Sequence, residues 1–122
     1  MEKPHRRLAV WQLAMETTVT IYEVTQRFPS EEKFGLTSQM RRAAVSIPSN
    51  IAEGAARSSP GDYARFLTIA LGSLSELDTQ LDLAKRLDYC TQQSFDGLDQ
   101  QLSSISRMLI ALRRSVRNSK TK

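Results

Sequence analysis

Twice in this chain an apolar residue returns at alternating steps of four and three. Tyr63, Leu67, Ala70, Leu74, Leu77, Leu81 and Ala84 form the first run, widened by Phe66, Ile69 and Leu71. Phe95, Leu98, Leu102, Ile105, Leu109, Leu112 and Val116 form the second. This heptad spacing keeps one side of an α-helix against a partner helix; a strand, whose side chains alternate with a period of two, cannot bury it. Local signals bound both runs. Ser59 is placed as an N-cap, with Pro60 at the first helical position and Asp62 three residues on, a capping-box pattern. Asp88-Tyr89-Cys90 closes the first helix and Thr91 caps the next. Two helices of about 25 residues, each about 38 Å long at ~1.5 Å per residue, are expected to pack antiparallel across this short turn.

The first half of the chain reads as two more helices. Leu8, Trp11, Met15, Val19 and Tyr22 make one apolar stripe, and Val10, Ala14, Thr17, Ile21 and Val24 make a second beside it. The arc is wider than a small bundle needs, which points to association with another chain. Phe28-Pro29 ends this helix, because the residue before proline is driven out of the α region, and Ser30 is placed to cap the next turn. The following segment is rich in small residues, from Ala43 to Ala56, and is interrupted by Pro48. Pro48 has no amide to donate and collides with the carbonyl of Ala44, so a kink is expected there, with Ser46, Ser49 and Asn50 available to bond the freed carbonyls. Only 5 Gly and 4 Pro in 122 residues leave too little turn chemistry for a sandwich or barrel. The expectation is one all-α domain, residues 1–122. It is an antiparallel up-down four-helix bundle with helices near 6–27, 36–57, 60–87 and 92–117.

The residues that carry most chemistry are scarce. Cys90 is the only cysteine, so the chain can form no disulfide within itself, which fits a reducing cytosol. His5 is the only histidine and sits in a polar start, a poor place for a catalytic base. The five glycines are scattered singly, with no phosphate-cradling loop, and Glu-x-x-His metal pairs on facing helices cannot be built. Asp78 and Asp82 lie one turn apart and are expected to pair with Lys85 and Arg86 in solvent. No run of about 18 apolar residues suggests a membrane span. A non-enzymatic, cofactor-free, metal-free cytoplasmic protein is therefore expected.

Charge is unevenly spread. Arg107, Arg113, Arg114, Arg117, Lys120 and Lys122 form a run with no acid among them, whereas residues 1–106 carry 11 basic against 13 acidic groups. The four arginines fall within roughly a third of the helix circumference, away from the second apolar run. Such a face attracts phosphates, since neutralising them releases condensed counterions. No aromatic residue interleaves with these arginines, so the face carries no platform for base stacking.

Three stretches, Leu8-Ala-Val-Trp-Gln-Leu-Ala, Phe28-Pro, and Gly35 through Gly54 with its Gln-Met-Arg-Arg-Ala-Ala-Val-Ser-Ile-Pro-Ser-Asn-Ile-Ala-Glu-Gly sequence, resemble the four-helix-bundle proteins encoded within 23S ribosomal RNA intervening sequences. The likeness continues from Tyr63 to Ala84 and covers about residues 6–117. It implies a cytosolic bacterial bundle assembled as a homopentamer, without established enzymatic activity. A related branch, the accessory variability determinant of diversity-generating retroelements, is similar in fold and partners a reverse transcriptase and its RNA, so a reverse transcriptase or another protein is a further expected partner. Within the matching motifs, Trp11, Arg41, Arg42, Pro48, Ser49, Asn50 and Glu53 are assigned structural or interface parts. Two functional expectations follow: a structured-RNA scaffold using Arg107, Arg113, Arg114, Arg117, Lys120 and Lys122, or a protein-protein scaffold in which those cations only maintain solubility.

Overall fold

The computed structural model describes residues 3–119. Four helices, α1 (Ala9–Thr25), α2 (Leu36–Ala55), α3 (Pro60–Arg86) and α4 (Gln92–Arg117), form an up-down bundle; α1 packs on α2, α2 on α3, α3 on α4, and α4 closes back onto α1. There is no strand among the described residues. Both apolar runs form the core as their spacing requires. Leu67, Leu77, Leu81, Leu98, Ile105 and Leu109 are fully buried and meet Ile21, Met40, Ile47 and Ile51 from the other helices. Each such side chain contributes about 1.5–3 kcal/mol by leaving water.

The caps behave as read for the second half. Ser59 Oγ accepts from the Asp62 amide at 3.0 Å, and Thr91 Oγ1 from the Ser94 amide at 3.1 Å. Between them Asp88 takes a φ of 60°, a left-handed conformation that Asp tolerates better than most residues. The first half departs from expectation in three places. The first helix starts at Ala9, because Leu8 is extended and Pro4–Arg7 forms a separate 3-10 turn. Ser30 makes no cap; α2 is instead capped by Glu32, whose carboxylate accepts from the Leu36 amide at 3.0 Å. The carbonyl of Ala44, deprived of its donor by Pro48, is not met by Ser46, Ser49 or Asn50. Thr18 on α1 reaches it at 3.1 Å, its one hydroxyl proton shared with the Ala14 carbonyl at 2.8 Å, while Asn50 turns back onto Ser46, and Ser46 pairs with Ser73 of α3 at 2.8 Å. The missing helical bond thus becomes a bond between helices, and α2 runs on through Pro48.

Small residues set the α2–α3 distance. A Cβ at Gly54 would lie 2.9 Å from Phe66 Cβ and 3.2 Å from the Tyr63 carbonyl oxygen, closer than side chains tolerate. Of the two stripes on α1, the structure buries Val10, Ala14, Thr17 and Ile21 and leaves Met15, Val19 and Tyr22 outside, with Val19 56% exposed. Thr17 Oγ1 donates to Gln101 at 3.0 Å, which with Thr18 on Ala44 fixes this rotation from two sides.

Candidate nucleic-acid interface

Up-down topology gathers distant parts of the chain. The start of α1, the α2–α3 turn and the finish of α4 share one end of the bundle, called here the lower end; the α1–α2 and α3–α4 connections share the upper end. A cavity of about 340 Å³ at the lower end, lined by Arg57, Ser59, Tyr63, Ser115 and Val116 among others, shows the turn and α4 side by side. Burial pushes the Tyr63 hydroxyl above its ordinary range.

The sequence places the basic face on α4 alone, and the fold brings further basic residues to the same end of the bundle. Arg114 and Arg117 lie exposed in the last turn of α4, where cations also complement the negative end of the helix dipole. Arg113 is half-buried and donates from Nη1 to Thr68 of α3 at 3.1 Å, so its guanidinium is anchored. Arg107 stands two turns above Arg114 on the same line and donates to Ser104 at 3.2 Å. Lys120 and Lys122 lie outside the described residues. Lys3, Arg6 and Arg7 enter from the turn before α1, and Arg57 and Arg65 from either side of the α2–α3 connection. The lower end therefore holds eight described basic residues, Arg113, Arg114 and Arg117 included, and two acids, Glu53 and Asp62. Both acids are engaged, Glu53 with Arg57 and Asp62 with Arg65 at 3.5 Å. The remaining described chain carries ten acids against seven bases. The missed residues were findable only through topology, since nothing local in the sequence joins Arg6, Arg57 and Arg65 to α4.

The motif residues divide between packing and surface. Trp11 packs half-buried on the core with its ring 4.8 Å from that of His5; Pro48 is buried, and Ser49 lies exposed beside it. Together with Met15 and Val45 they line a shallow groove of about 370 Å³ on the outside of α1 and α2. Arg41 is tied to α1, donating from Nε to Thr25 Oγ1 at 2.9 Å and from Nη2 to the Tyr22 carbonyl at 3.2 Å. Arg42 is exposed and has no hydrogen bond or ion pair among the described residues.

The expected pairing of Asp78 and Asp82 with Lys85 and Arg86 is not formed among the described residues. Burial, and then the charges of Asp82 and Asp99, raise the Asp78 carboxyl above its ordinary range. Burial likewise raises the half-buried Cys90 thiol, against a smaller opposing effect of Lys85. Among the described residues no three His, Cys, Asp or Glu side chains stand close enough to hold a metal, and no helix is long and apolar enough to cross a membrane.

Three comparisons place these features among known proteins. The family model for the 23S rRNA-intervening sequence protein matches residues 6–111. No curated protein matches the chain. Among solved structures, the chain is similar to a protein of unknown function from the S23 ribosomal protein family of Bacteroides thetaiotaomicron, at 27% identity and a TM-score of 0.80 over 86% of this chain and 98% of that one. With a family match across most of its length and a shared bundle, the chain belongs to the 23S rRNA-intervening sequence protein family.

Proposed function

We propose that this protein is a non-enzymatic, self-associating cytoplasmic bundle that holds structured RNA by its phosphates at the lower end. The observation that carries this reading is the gathering of eight described basic residues there with two acids, both already engaged. Cations without base-reading neighbours give contacts that are salt-sensitive and weakly sequence-specific. Self-association is supported by the outer stripe of α1, where Met15 and Val19 stay in water beside the groove at Pro48 and Val45. In a homopentamer, the form the resemblance implies, five basic ends act together, so avidity replaces base contacts.

The test is light scattering in line with size exclusion, with and without a pool of structured bacterial RNAs at low and high salt. RNA is expected to co-elute with an oligomer at low salt only. An Arg113→Glu/Arg114→Glu/Arg117→Glu variant should keep its mass and lose the RNA. Equal RNA affinity in wild type and variant would overturn the reading in favour of a protein scaffold.

A further inference from the structure

At the upper end, far from the arginines of α4, a second groove of about 660 Å³ opens where α1 meets the start of α2. Its volume lies within the range of small-ligand sites. Three cations line it, Lys33, Arg41 and Arg42, and no carboxylate does. The neighbouring Glu32 is occupied by the Leu36 amide and by the Tyr89 hydroxyl at 2.9 Å.

One flat surface is presented in this groove. Phe34 is 89% exposed, the most exposed large apolar side chain described, with Lys33 Nζ 5.5 Å from its ring centre. Arg41 lies over the Tyr22 ring at 4.5 Å, held there by its bonds to Thr25 and the Tyr22 carbonyl. An aromatic ring left in water forgoes a large burial gain, and here it stands beside cations with no carboxylate among the residues lining the groove. An aromatic plane flanked by cations is an arrangement on which unpaired bases stack while their phosphates are held.

We propose that this groove binds unpaired nucleotides of an RNA strand, a base stacking on Phe34 and the adjoining phosphates meeting Arg42 and Lys33. The site is separate from the lower end, which meets paired RNA, and its specificity is for single strands rather than for a particular base. A scaffold carrying both grips an RNA at a helical stem and at the loop or tail beside it.

Fluorescence anisotropy with a labelled unstructured oligouridine and with a labelled RNA duplex of the same length tests this, alongside light scattering of each variant. Phe34→Ala and Arg42→Ala are expected to weaken oligouridine binding about tenfold, with duplex affinity and assembly mass unchanged; Phe34→Trp should retain binding. The Arg113→Glu/Arg114→Glu/Arg117→Glu variant should show the reverse pattern, whereas a wild type that binds oligouridine and no duplex would count against the lower end and not this groove. Oligouridine affinity unaltered by Phe34→Ala, no oligouridine binding by the wild type, or a lower assembly mass on Phe34→Ala, which would show that another copy of the chain covers the groove, would each overturn the proposal.

Discussion

At the upper end of the bundle the connections are joined by directed side-chain bonds, whereas at the lower end they are joined by close backbone approach. Above, Tyr89 in the α3–α4 turn donates to Glu32 in the α1–α2 connection, the Phe28 and Tyr89 rings meet at 5.2 Å, and Arg41 ties α2 to α1. Below, α2 and α3 come together because position 54 has no side chain, and Arg114 and Arg117 stay in solvent. The difference teaches where this fold can carry charge. Close packing of small residues consumes no polar groups, so Arg114 and Arg117 take no part in holding the lower end together.

The sharpest challenge to this contrast is Gly54→Val. A branched side chain has no space against Phe66 and the Tyr63 backbone, so a loss of about 3 kcal/mol is expected despite the gain in helix propensity over glycine. Urea unfolding measures it, and stability at or above wild type would mean that close approach does not hold the lower end. Midway along the bundle, Thr18→Val should cost about 1 kcal/mol by removing the proton that the Ala44 carbonyl shares with that of Ala14. In a Pro48→Ala background the new amide supplies that donor, so the same substitution should cost much less; additive losses in this double-mutant cycle would deny the coupling.

The smallest effect is expected at the upper end and depends on pH. The Leu36 amide, and then the Tyr89 hydroxyl, hold the Glu32 carboxyl below its ordinary range. A lowered carboxyl stabilises the fold above the unfolded value of about 4.3 and loses that contribution as pH falls through the lowered value. Tyr89→Phe should therefore flatten the fall in Tm below about pH 4 without changing the profile near neutrality. An acid limb identical to wild type would mean that the Tyr89 bond adds nothing.

Legibility from sequence followed how many alternatives each pattern left. The runs from Tyr63 to Ala84 and from Phe95 to Val116 allowed one buried side, and the structure buries it. On α1 two apolar stripes competed. What separates them is a pair of threonine bonds, from Thr17 to Gln101 and from Thr18 to Ala44, and periodicity cannot register a bond to a distant residue. Pro48 marks a free carbonyl in the sequence, but the donor that reaches it comes from α1, and no pattern within α2 points there. The basic face was visible where its members are consecutive on α4 and invisible where the fold assembles them. Phe34 and Lys33 sit in a turn without period, so nothing marked them until Arg41 and Arg42 appeared beside them.

Crowding cations at one end while acids outnumber bases elsewhere gives each subunit a permanent polarity along its long axis. Rotation about the axis of a cyclic assembly leaves the axial part of such a polarity unchanged, so the contributions of all subunits add and never cancel. An assembly of the proposed kind would work against repulsion among like ends, which added salt relieves, while the same salt would weaken a hold on phosphate. Under the proposed function, ionic strength would drive ring formation and RNA capture in opposite directions, and RNA bridging several subunits would be the counter-charge that lets the assembly persist at low salt.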